Sequence, residues 1–211
     1  DITRLKNLER MRSDFIANVT HELKTPLTAI IGYVETLQDN GSMDAAVQDR
    51  FLRIVHDHAR RLDRLVDDLL TLSSLEQGDY PLETTAISLE AVVEETLPVV
   101  QAAASAKGLT LATSIPADLP PIRGDRDKVG QILLNLLDNA VKFTSAGGID
   151  IRAYASQDSS QVTVEISDTG MGIPRADLPR LGERFYRVDR TRSRELGGTG
   201  LGLSIVKHLI K

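Results

Sequence analysis

The sequence contains no cysteine, no excess of basic residues and no long apolar run. The absence of cysteine excludes disulfides, thiol catalysis and cysteine zinc sites, which fits a reducing compartment. Its 25 basic and 30 acidic side chains give a net charge of -5, so no nucleic-acid partner is expected. Apolar stretches such as QILLNLLDNAV are broken well short of the ~20 residues that cross a bilayer. We therefore expect a soluble chain in which any phosphate-binding site comes from local geometry.

The first third of the chain carries two long helical patterns. From Ile16 to Leu37, apolar residues recur at steps of three and four and predict one amphipathic helix. A turn at Asn40 and Gly41 ends it, and Ser42 or Asp44 can cap a second helix. The apolar seam of that second helix consists of Phe51, Val55, His58, Leu62, Leu65, Leu69 and Leu72. Because a lone hairpin covers only one side of such stripes, we expect two copies to form a dimeric four-helix bundle.

The remainder of the chain has an α+β pattern. Gly78 and Pro81 in LEQGDYPLE mark a linker at 78–82. Helices are predicted at 89–107, 125–143 and 201–211, and strands at LTLATSI, GIDIRAYAS and QVTVEISD. Pro98 should kink or interrupt the first of these helices. We therefore expect a helical hairpin at 1–77 and a separate domain at 83–211.

The stretch VTHELKTPLTAI places a histidine on the polar side of the first helix. At ~100° per residue, His21 points away from the apolar stripe and should face solvent beside Glu22. Thr25 lies one turn further on, and Pro26 removes a backbone donor, which predicts a bend. Zinc is disfavoured, because Thr25 occupies the second histidine position of H-E-x-x-H. Most exposed histidines have no chemical role, so this stretch alone leaves a solvated surface histidine as the simplest interpretation.

The helix predicted at 125–143 carries a polar face of Asn135, Asn139 and Lys142. Their i, i+4 and i+7 spacing places all three side chains on one side of the helix. Carboxamide oxygens suit a hard cation that bridges phosphates, and a lysine adds positive charge near those phosphates. The alternative is an ordinary exposed polar face, and this motif alone does not decide between them.

Two glycine-rich segments complete the indication of a nucleotide site. In SDTGMGI, Asp168 ends a predicted strand and can accept a hydrogen bond from an exocyclic amine such as that of adenine. The alternative is a common D-T-G turn. GGTGLGLSIVKH opens the last helix, where free amides and the helix dipole favour phosphate. Its spacing fits neither a P-loop nor a dinucleotide loop, so the prediction rests on the order of the motifs.

Five segments, in order, resemble the motifs of the cytoplasmic kinase core of bacterial two-component sensor histidine kinases. They are FIANVTHELKTPLTAI, ILLNLLDNAVKFT, SDTGMGIP, ERFYRVD and GGTGLGLSIVKH, similar to the phospho-acceptor, N, first glycine, phenylalanine and second glycine boxes. The resemblance covers essentially the whole chain. It implies a dimerisation and histidine phosphotransfer hairpin of HisKA type at 1–77 and a catalytic ATP-binding α/β sandwich of GHKL type at 83–211.

The resemblance implies a role for each residue of the acceptor box. His21 would be the phosphorylated residue, and Glu22 would hold its Nδ1–H and take up the proton. Thr25 would orient water when the kinase dephosphorylates its cognate response regulator, whose receiver-domain aspartate otherwise receives the phosphoryl group from His21. A homodimer is expected.

The resemblance also assigns the nucleotide site, with ATP and Mg²⁺ as ligands. Asn139 would be the principal magnesium ligand, and Asn135 would assist at the metal or the acceptor. Lys142 and Arg187 would contact phosphates, and Asp168 the adenine amine. The residues that would shape the pocket and its mobile lid are Gly170, Gly172, Gly198, Thr199, Gly200 and Gly202.

The sequence departs from the family pattern at a few places. Gly182 replaces the usual phenylalanine before ERF, although LGERFYRVDRTRSRELGGTGLGL is similar to the phosphate-sensing subgroup. No closing strands follow the last helix, so we expect a truncated ATP-binding domain. The opening DIT resembles the exit of a PAS-type sensor. We expect an upstream sensor and membrane anchor, with this region on the cytoplasmic face of the bacterial inner membrane.

Two other functions fit parts of the sequence. An ATPase or serine kinase of the same ATP-binding superfamily would share the second half but needs no His21 hairpin. A dimeric scaffold with a vestigial nucleotide site would keep the hairpin without the chemistry. The intact Asn135, Asn139 and Asp168 disfavour the scaffold, and the heptad helices around His21 disfavour the plain ATPase.

Overall fold

The computed structural model divides into two compact units. The hairpin unit comprises Asp1–Ser73 and Glu183–Leu201, and the α/β unit comprises Ser74–Gly182 and Gly202–Lys211. The predicted turn at 40–41 and the predicted linker at 78–82 lie outside the described residues. The residues that the structure describes are 2–39, 43–77, 83–158, 160–189 and 196–210.

Two long helices build the hairpin unit, as the apolar periodicity predicts. Helix α1 spans Ile2–Asp39, and α2 spans Ala45–Gln77, with its last turn assigned to the α/β unit. Asp44 caps α2, because its Oδ1 accepts a hydrogen bond from the backbone N–H of Ala46 at 2.7 Å. Every predicted seam position of α2 is buried or half-buried. The sequence pattern therefore identifies the packed side of α2 correctly.

Several large apolar side chains of the hairpin unit remain exposed. They are Ile16, Leu27, Ile31, Val47, Leu52, Val66 and Leu70. One hairpin cannot cover apolar positions on both of its sides, and a four-helix bundle of two copies would bury them. The dimer stays a prediction. Among the described residues, no helix combines the length and hydrophobicity that crossing a membrane requires.

The α/β unit alternates helices with short strands. Its helices are α3 (Leu89–Ala106), α4 (Arg126–Phe143) and α5 (Gly202–Leu209), with a 3-10 turn at Leu178–Arg180. Its strands are β1 (Thr85–Ile87), β2 (Thr110–Ser114), β3 (Ile122–Gly124), β4 (Gly148–Ala155) and β5 (Val162–Asp168). The sequence did not predict β1 and β3, because three residues are too few to establish an alternating pattern.

Side chains at the helix starts fix where α3 and α4 begin. The Oγ of Ser88 accepts a hydrogen bond from the backbone N–H of Ala91, and Asp125 Oδ1 accepts one from that of Lys128. Both helices begin within one residue of their predicted starts. Helix α3 continues through Pro98, so the proline does not interrupt it.

Three of the strands form the main sheet, in the order β2-β4-β5. Strands β2 and β4 are parallel, which requires the long crossover through α4. Strands β4 and β5 form the predicted antiparallel pair, in which Ile149 lies opposite Asp168. This register places Asp168 at the end of the sheet where β4 begins and β5 ends. Strands β1 and β3 form a separate antiparallel pair.

Buried apolar side chains fill the space between α3, α4 and one face of the sheet. The central ones are Val92, Val93, Leu133, Leu137, Ile149 and Ile151. On α4 the buried residues lie on the side of the helix opposite the polar face that carries Asn135 and Asn139. Burial of Leu133 and Leu137 therefore fixes which way the two amides point.

Lys107 anchors the C-terminal end of α4. Its Nζ donates hydrogen bonds to the carbonyl oxygens of Val141 at 2.6 Å and Lys142 at 3.0 Å. A cation there satisfies carbonyls that lack helical partners and complements the helix dipole. The anchor holds the turn of α4 that carries Lys142.

Replacing Gly130 with alanine should stabilise the α/β unit. Gly130 lies inside α4, and an added Cβ would meet only Val92 Cγ1, at the ordinary contact distance of 3.8 Å. Alanine is favoured over glycine in helix interiors by about 1 kcal/mol, because glycine loses more backbone freedom. Thermal unfolding should show a higher midpoint with unchanged ATP affinity. A lower midpoint would contradict the packing described for α4.

Candidate active site

His21 projects from α1 into solvent, as predicted. Its side chain is 62% exposed, and its Nδ1 lies 3.9 Å from Glu22 Oε1. That separation exceeds a hydrogen bond, which requires about 3.2 Å or less. These two atoms are therefore neighbours without a hydrogen bond between them.

Glu22, the immediate neighbour of the exposed His21, is buried. Its Oε2 accepts hydrogen bonds from Arg61 Nη2 and Arg187 Nη2, both at 3.0 Å. The carboxylate is 11% exposed and is compensated by two guanidinium groups, as a buried charge must be. Sequence reasoning missed Arg61. Its step of three from His58 in the α2 seam was the available signal.

Thr25 lies on the same side of α1 as His21. The two line one open groove together with Lys24, Thr28 and Ala29. Thr25 Oγ1 donates to the carbonyl oxygen of His21 at 3.0 Å. Pro26 is buried inside an otherwise continuous α1. The threonine hydroxyl is thus tethered one helical turn from the imidazole.

The lid segment, defined here as residues 183–189 and 196–201, belongs to the hairpin unit. The Phe185 ring packs against Phe15 with 5.8 Å between centroids, and the Arg184 guanidinium lies 5.2 Å from the centre of the Phe15 ring. Phe185 has a φ of +62°, an unusual conformation for a bulky residue. Its backbone N–H donates to the carbonyl oxygen of Gly200, which closes the segment on itself.

Two predicted nucleotide residues of the lid segment contact the helices of the hairpin. Arg187 is 5% exposed, and it bonds to the Thr199 carbonyl at 2.7 Å as well as to Glu22. Thr199 Oγ1 donates to Asp68 Oδ2 at 2.6 Å. Gly198 is half-buried beside them. Contact between Arg187 and phosphate stays a prediction.

The predicted polar face of α4 is half-buried in the α/β unit. Asn135 Nδ2 donates to the carbonyl oxygen of Gln131 at 3.0 Å, and a Cβ on Gly202 would lie 2.6 Å from Asn135 Oδ1. A larger residue at the start of α5 would therefore displace the Asn135 carboxamide. Lys142 forms an ion pair with Asp138 one turn back on α4. The structure thus brings together the N box and the start of α5.

The turn after β5 is built around Asp168. Its Oδ1 accepts a hydrogen bond from the Gly170 N–H at 2.8 Å. A Cβ on Gly170 would lie 2.6 Å from that oxygen and 2.7 Å from the Phe143 carbonyl oxygen, so no other residue fits without displacing the backbone. Gly172 has a φ of +68°, which favours glycine. The Asp168 carboxylate is exposed and held in orientation by the turn itself.

Thr169 ties this turn to the beginning of β4. Its Oγ1 donates to the Ala146 carbonyl oxygen at 2.9 Å and accepts from the Gly148 N–H at 3.0 Å. Gly147 adopts a φ of +97° beside it. Sequence reasoning assigned no role to Thr169, whose only signal was its place between Asp168 and Gly170.

The amides of α4 fit a magnesium ion that arrives with ATP. Within the described residues, no cluster of three or more histidine, aspartate or glutamate side chains can hold a metal. Mg²⁺ keeps several waters and is usually held by one or two protein oxygens together with substrate phosphates. The carboxamide oxygens of Asn135 and Asn139 are donors of the required kind. The donor set therefore suits a nucleotide-borne ion better than a protein-only metal cage.

Comparison with known proteins agrees with this arrangement. Residues 11–78 match the family described as His Kinase A (phospho-acceptor) domain, and residues 124–211 match that described as Histidine kinase-, DNA gyrase B-, and HSP90-like ATPase. The chain is 41% identical over 214 residues to the phosphate regulon sensor protein PhoR of Pseudomonas aeruginosa, covering 100% of this chain and 47% of PhoR.

Further relatives support the same assignment. Drug sensory protein A of Synechocystis is 43% identical over 221 residues, covering 100% of this chain and 33% of that protein. The solved structure of histidine kinase AdeS of Acinetobacter baumannii aligns with a TM-score of 0.71 and 28% identity, covering 90% of this chain and 85% of that one. The chain spans less than half the length of the two curated relatives. With its phospho-acceptor and ATP-binding domains, it belongs to the sensor histidine kinases.

Proposed function

We propose that this chain uses ATP to phosphorylate His21 and then transfers the phosphoryl group to an aspartate of a response regulator. The observation that carries the proposal is the imidazole of His21, which is exposed on α1 beside a buried carboxylate. An exposed imidazole can meet both the γ-phosphate of ATP and a regulator aspartate. The ATP-binding family assignment of residues 124–211 supports ATP as the phosphoryl donor.

The proposed reaction is an in-line displacement at the γ-phosphorus. The neutral Nε2 of His21 attacks, a phosphorus–nitrogen bond forms, and the phosphorus–oxygen bond to ADP breaks. The Nδ1 proton is taken up by Glu22, whose Oε1 is the nearest carboxylate oxygen on the same helix turn. In transfer to the regulator, the phosphorus–nitrogen bond breaks and a bond to an aspartate oxygen forms.

Residues of the α/β unit and the lid segment would bind the nucleotide. Mg²⁺, when bound, would neutralise phosphate charge, and Asn139 with Asn135 would hold it. Asp168 would accept from the adenine amine, and Lys142 and Arg187 would contact phosphates. Each of these two cations is paired with a carboxylate in the structure, so nucleotide binding would exchange those partners for phosphate.

We also propose the wider assembly of the full-length protein. The exposed apolar side chains of α1 and α2 support a homodimer through the hairpin. An upstream PAS-type sensor and an anchor in the bacterial inner membrane would place the kinase on the cytoplasmic face. The chain is 41% identical to PhoR and 43% identical to drug sensory protein A, so overall identity does not decide between these two kinds of sensor. We propose the phosphate-sensing subgroup from the sequence of the lid segment instead.

Incubation with labelled ATP and Mg²⁺, followed by acid and base treatment, tests the proposed function. A phosphoramidate on histidine should be lost in acid and persist in base. An acid-stable label would indicate a serine or threonine kinase, and ATP hydrolysis without label would indicate a plain ATPase. If neither label nor ATP hydrolysis is detected, the scaffold function is the one that remains. Each of the last three results would overturn the proposal.

Replacing Thr25 with alanine should separate the two reactions at His21. Autophosphorylation should continue, because the Thr25 hydroxyl donates to the backbone carbonyl of His21 and its removal leaves the imidazole in place. Dephosphorylation of the regulator should fall by about 10-fold or more, since water would lose its orienting hydroxyl. The measurement is the rate at which the phosphorylated regulator loses its phosphoryl group after this protein and ADP are added. Thr36→Ala is the matched control, because it removes the same kind of hydrogen bond elsewhere on α1. An unchanged decay rate with Thr25→Ala would contradict this role.

A further inference from the structure

Glu22 is held by two arginines from different parts of the chain. Arg61 comes from α2 and Arg187 from the lid segment, and both donate from Nη2 to the same oxygen, Oε2, at 3.0 Å. The other oxygen, Oε1, is the one that lies nearest His21 Nδ1. The two guanidinium groups therefore hold Oε2, and Oε1 is the oxygen on the side of the imidazole.

The two arginines are not equivalent in the proposed reaction. Arg187 lies in the lid segment, and its predicted contact with ATP phosphates would draw it toward the nucleotide and away from Glu22. Arg61 lies inside α2, the second helix of the hairpin, and its side chain is buried. Once Arg187 moves to the nucleotide, Arg61 is the cation of this pair that remains on the Glu22 carboxylate.

We propose that Arg61 is a positioning residue for phosphorylation of His21. Its guanidinium holds Oε2 of Glu22, so that Oε1 stays directed at Nδ1 of His21 when the proton is transferred. This inference rests on the proposed function. In this role Arg61 touches neither the His21 ring nor the nucleotide, and it acts only through Glu22.

A second histidine in the same hairpin shows what Arg61 adds. His56 on α2 is 63% exposed, and its Nδ1 lies 3.8 Å from Asp57 Oδ1, almost the geometry of His21 and Glu22. Asp57 is 83% exposed, whereas Glu22 is buried and clamped. An exposed carboxylate is free to rotate into water, and a clamped one keeps its orientation. Adjacency alone therefore does not distinguish the two histidines, but the arginine clamp does.

The test is autophosphorylation kinetics of the full chain with Arg61→Gln. We expect kcat to fall about 10-fold while the KM for ATP changes less than about 2-fold, because positioning affects the transition state and not nucleotide binding. Arg60→Gln is the matched control. Arg60 is the exposed neighbour that donates to His56 Nε2, and its removal should leave kcat unchanged.

A double substitution separates positioning from a structural role. In a Glu22→Gln background, Arg61→Gln should cost less than about 2-fold, because the carboxylate through which it acts is gone. An equal loss in both backgrounds would overturn the inference, as would full activity of Arg61→Gln. If Arg61→Gln fails to fold by circular dichroism, Arg61→Lys serves instead in both backgrounds. It keeps the charge without the planar fork, and we expect a loss of about 3-fold only when Glu22 is present. Absence of label on the unsubstituted chain would overturn the proposed function instead.

Discussion

Replacing His21 with glutamine should abolish incorporation of phosphate from ATP. The imidazole supplies the nucleophile, and a carboxamide nitrogen at this position is not nucleophilic at neutral pH, so the loss should reach at least about 1,000-fold. ATP binding should be unchanged, because His21 belongs to the hairpin unit and the predicted adenine contacts to the α/β unit. Labelled ATP followed by gel separation at neutral pH measures incorporation, and fluorescent nucleotide titration measures binding.

The matched control for this prediction is His56→Gln. His56 has nearly the same exposure as His21 and a carboxylate at nearly the same distance. If exposure and an adjacent acid were sufficient, both histidines would carry label. We expect His56→Gln to incorporate phosphate normally. Label that persists in His21→Gln and disappears in His56→Gln would contradict the assignment of the acceptor.

Replacing Gly170 with alanine should weaken ATP binding substantially. The added Cβ would lie 2.6 Å from Asp168 Oδ1 and 2.7 Å from the Phe143 carbonyl oxygen, so the turn must move. Overpacking of this kind costs about 1–3 kcal/mol, which corresponds to about 5- to 150-fold in the ATP dissociation constant if the displaced group is the adenine ligand. Nucleotide titration measures the change.

Comparison with two other glycines isolates the cause of that loss. Gly130→Ala meets no close neighbour and should leave ATP affinity intact. Gly172 also has open space around its missing side chain, but its φ of +68° adds backbone strain without a clash. Gly172→Ala should therefore weaken binding less than Gly170→Ala. The reverse order would mean that Asp168 is not held by the turn in the way described.

The helices and the main sheet could be predicted because their signals are local. The seam of α2 repeats over many turns, and the caps at Asp44, Ser88 and Asp125 are single residues that act on backbone amides nearby. Strands β4 and β5 alternate over 8 and 7 residues. Such patterns constrain backbone conformation without reference to the rest of the chain.

The contacts around Glu22 could not be predicted because they join distant parts of the chain. Arg61 is 39 residues from Glu22, and Arg187 is 165 residues away. Periodicity places Glu22 on a helix, but only the tertiary structure decides that its carboxylate is buried between two guanidinium groups. The same holds for Thr199, whose hydroxyl bonds to Asp68 at 131 residues' separation. Sequence motifs assigned both lid residues to the nucleotide and gave no sign of this second set of partners.

Identification of the phosphorylated residue tests the central claim most directly. The chain is incubated with ATP and Mg²⁺, kept at neutral or basic pH, digested, and fragmented in a mass spectrometer under conditions that retain phosphoramidates. We expect one phosphoryl group, on His21, in the peptide that contains VTHELK. A phosphoryl group on a serine or threonine, on His56, His58 or His208, or on no residue at all would contradict the account.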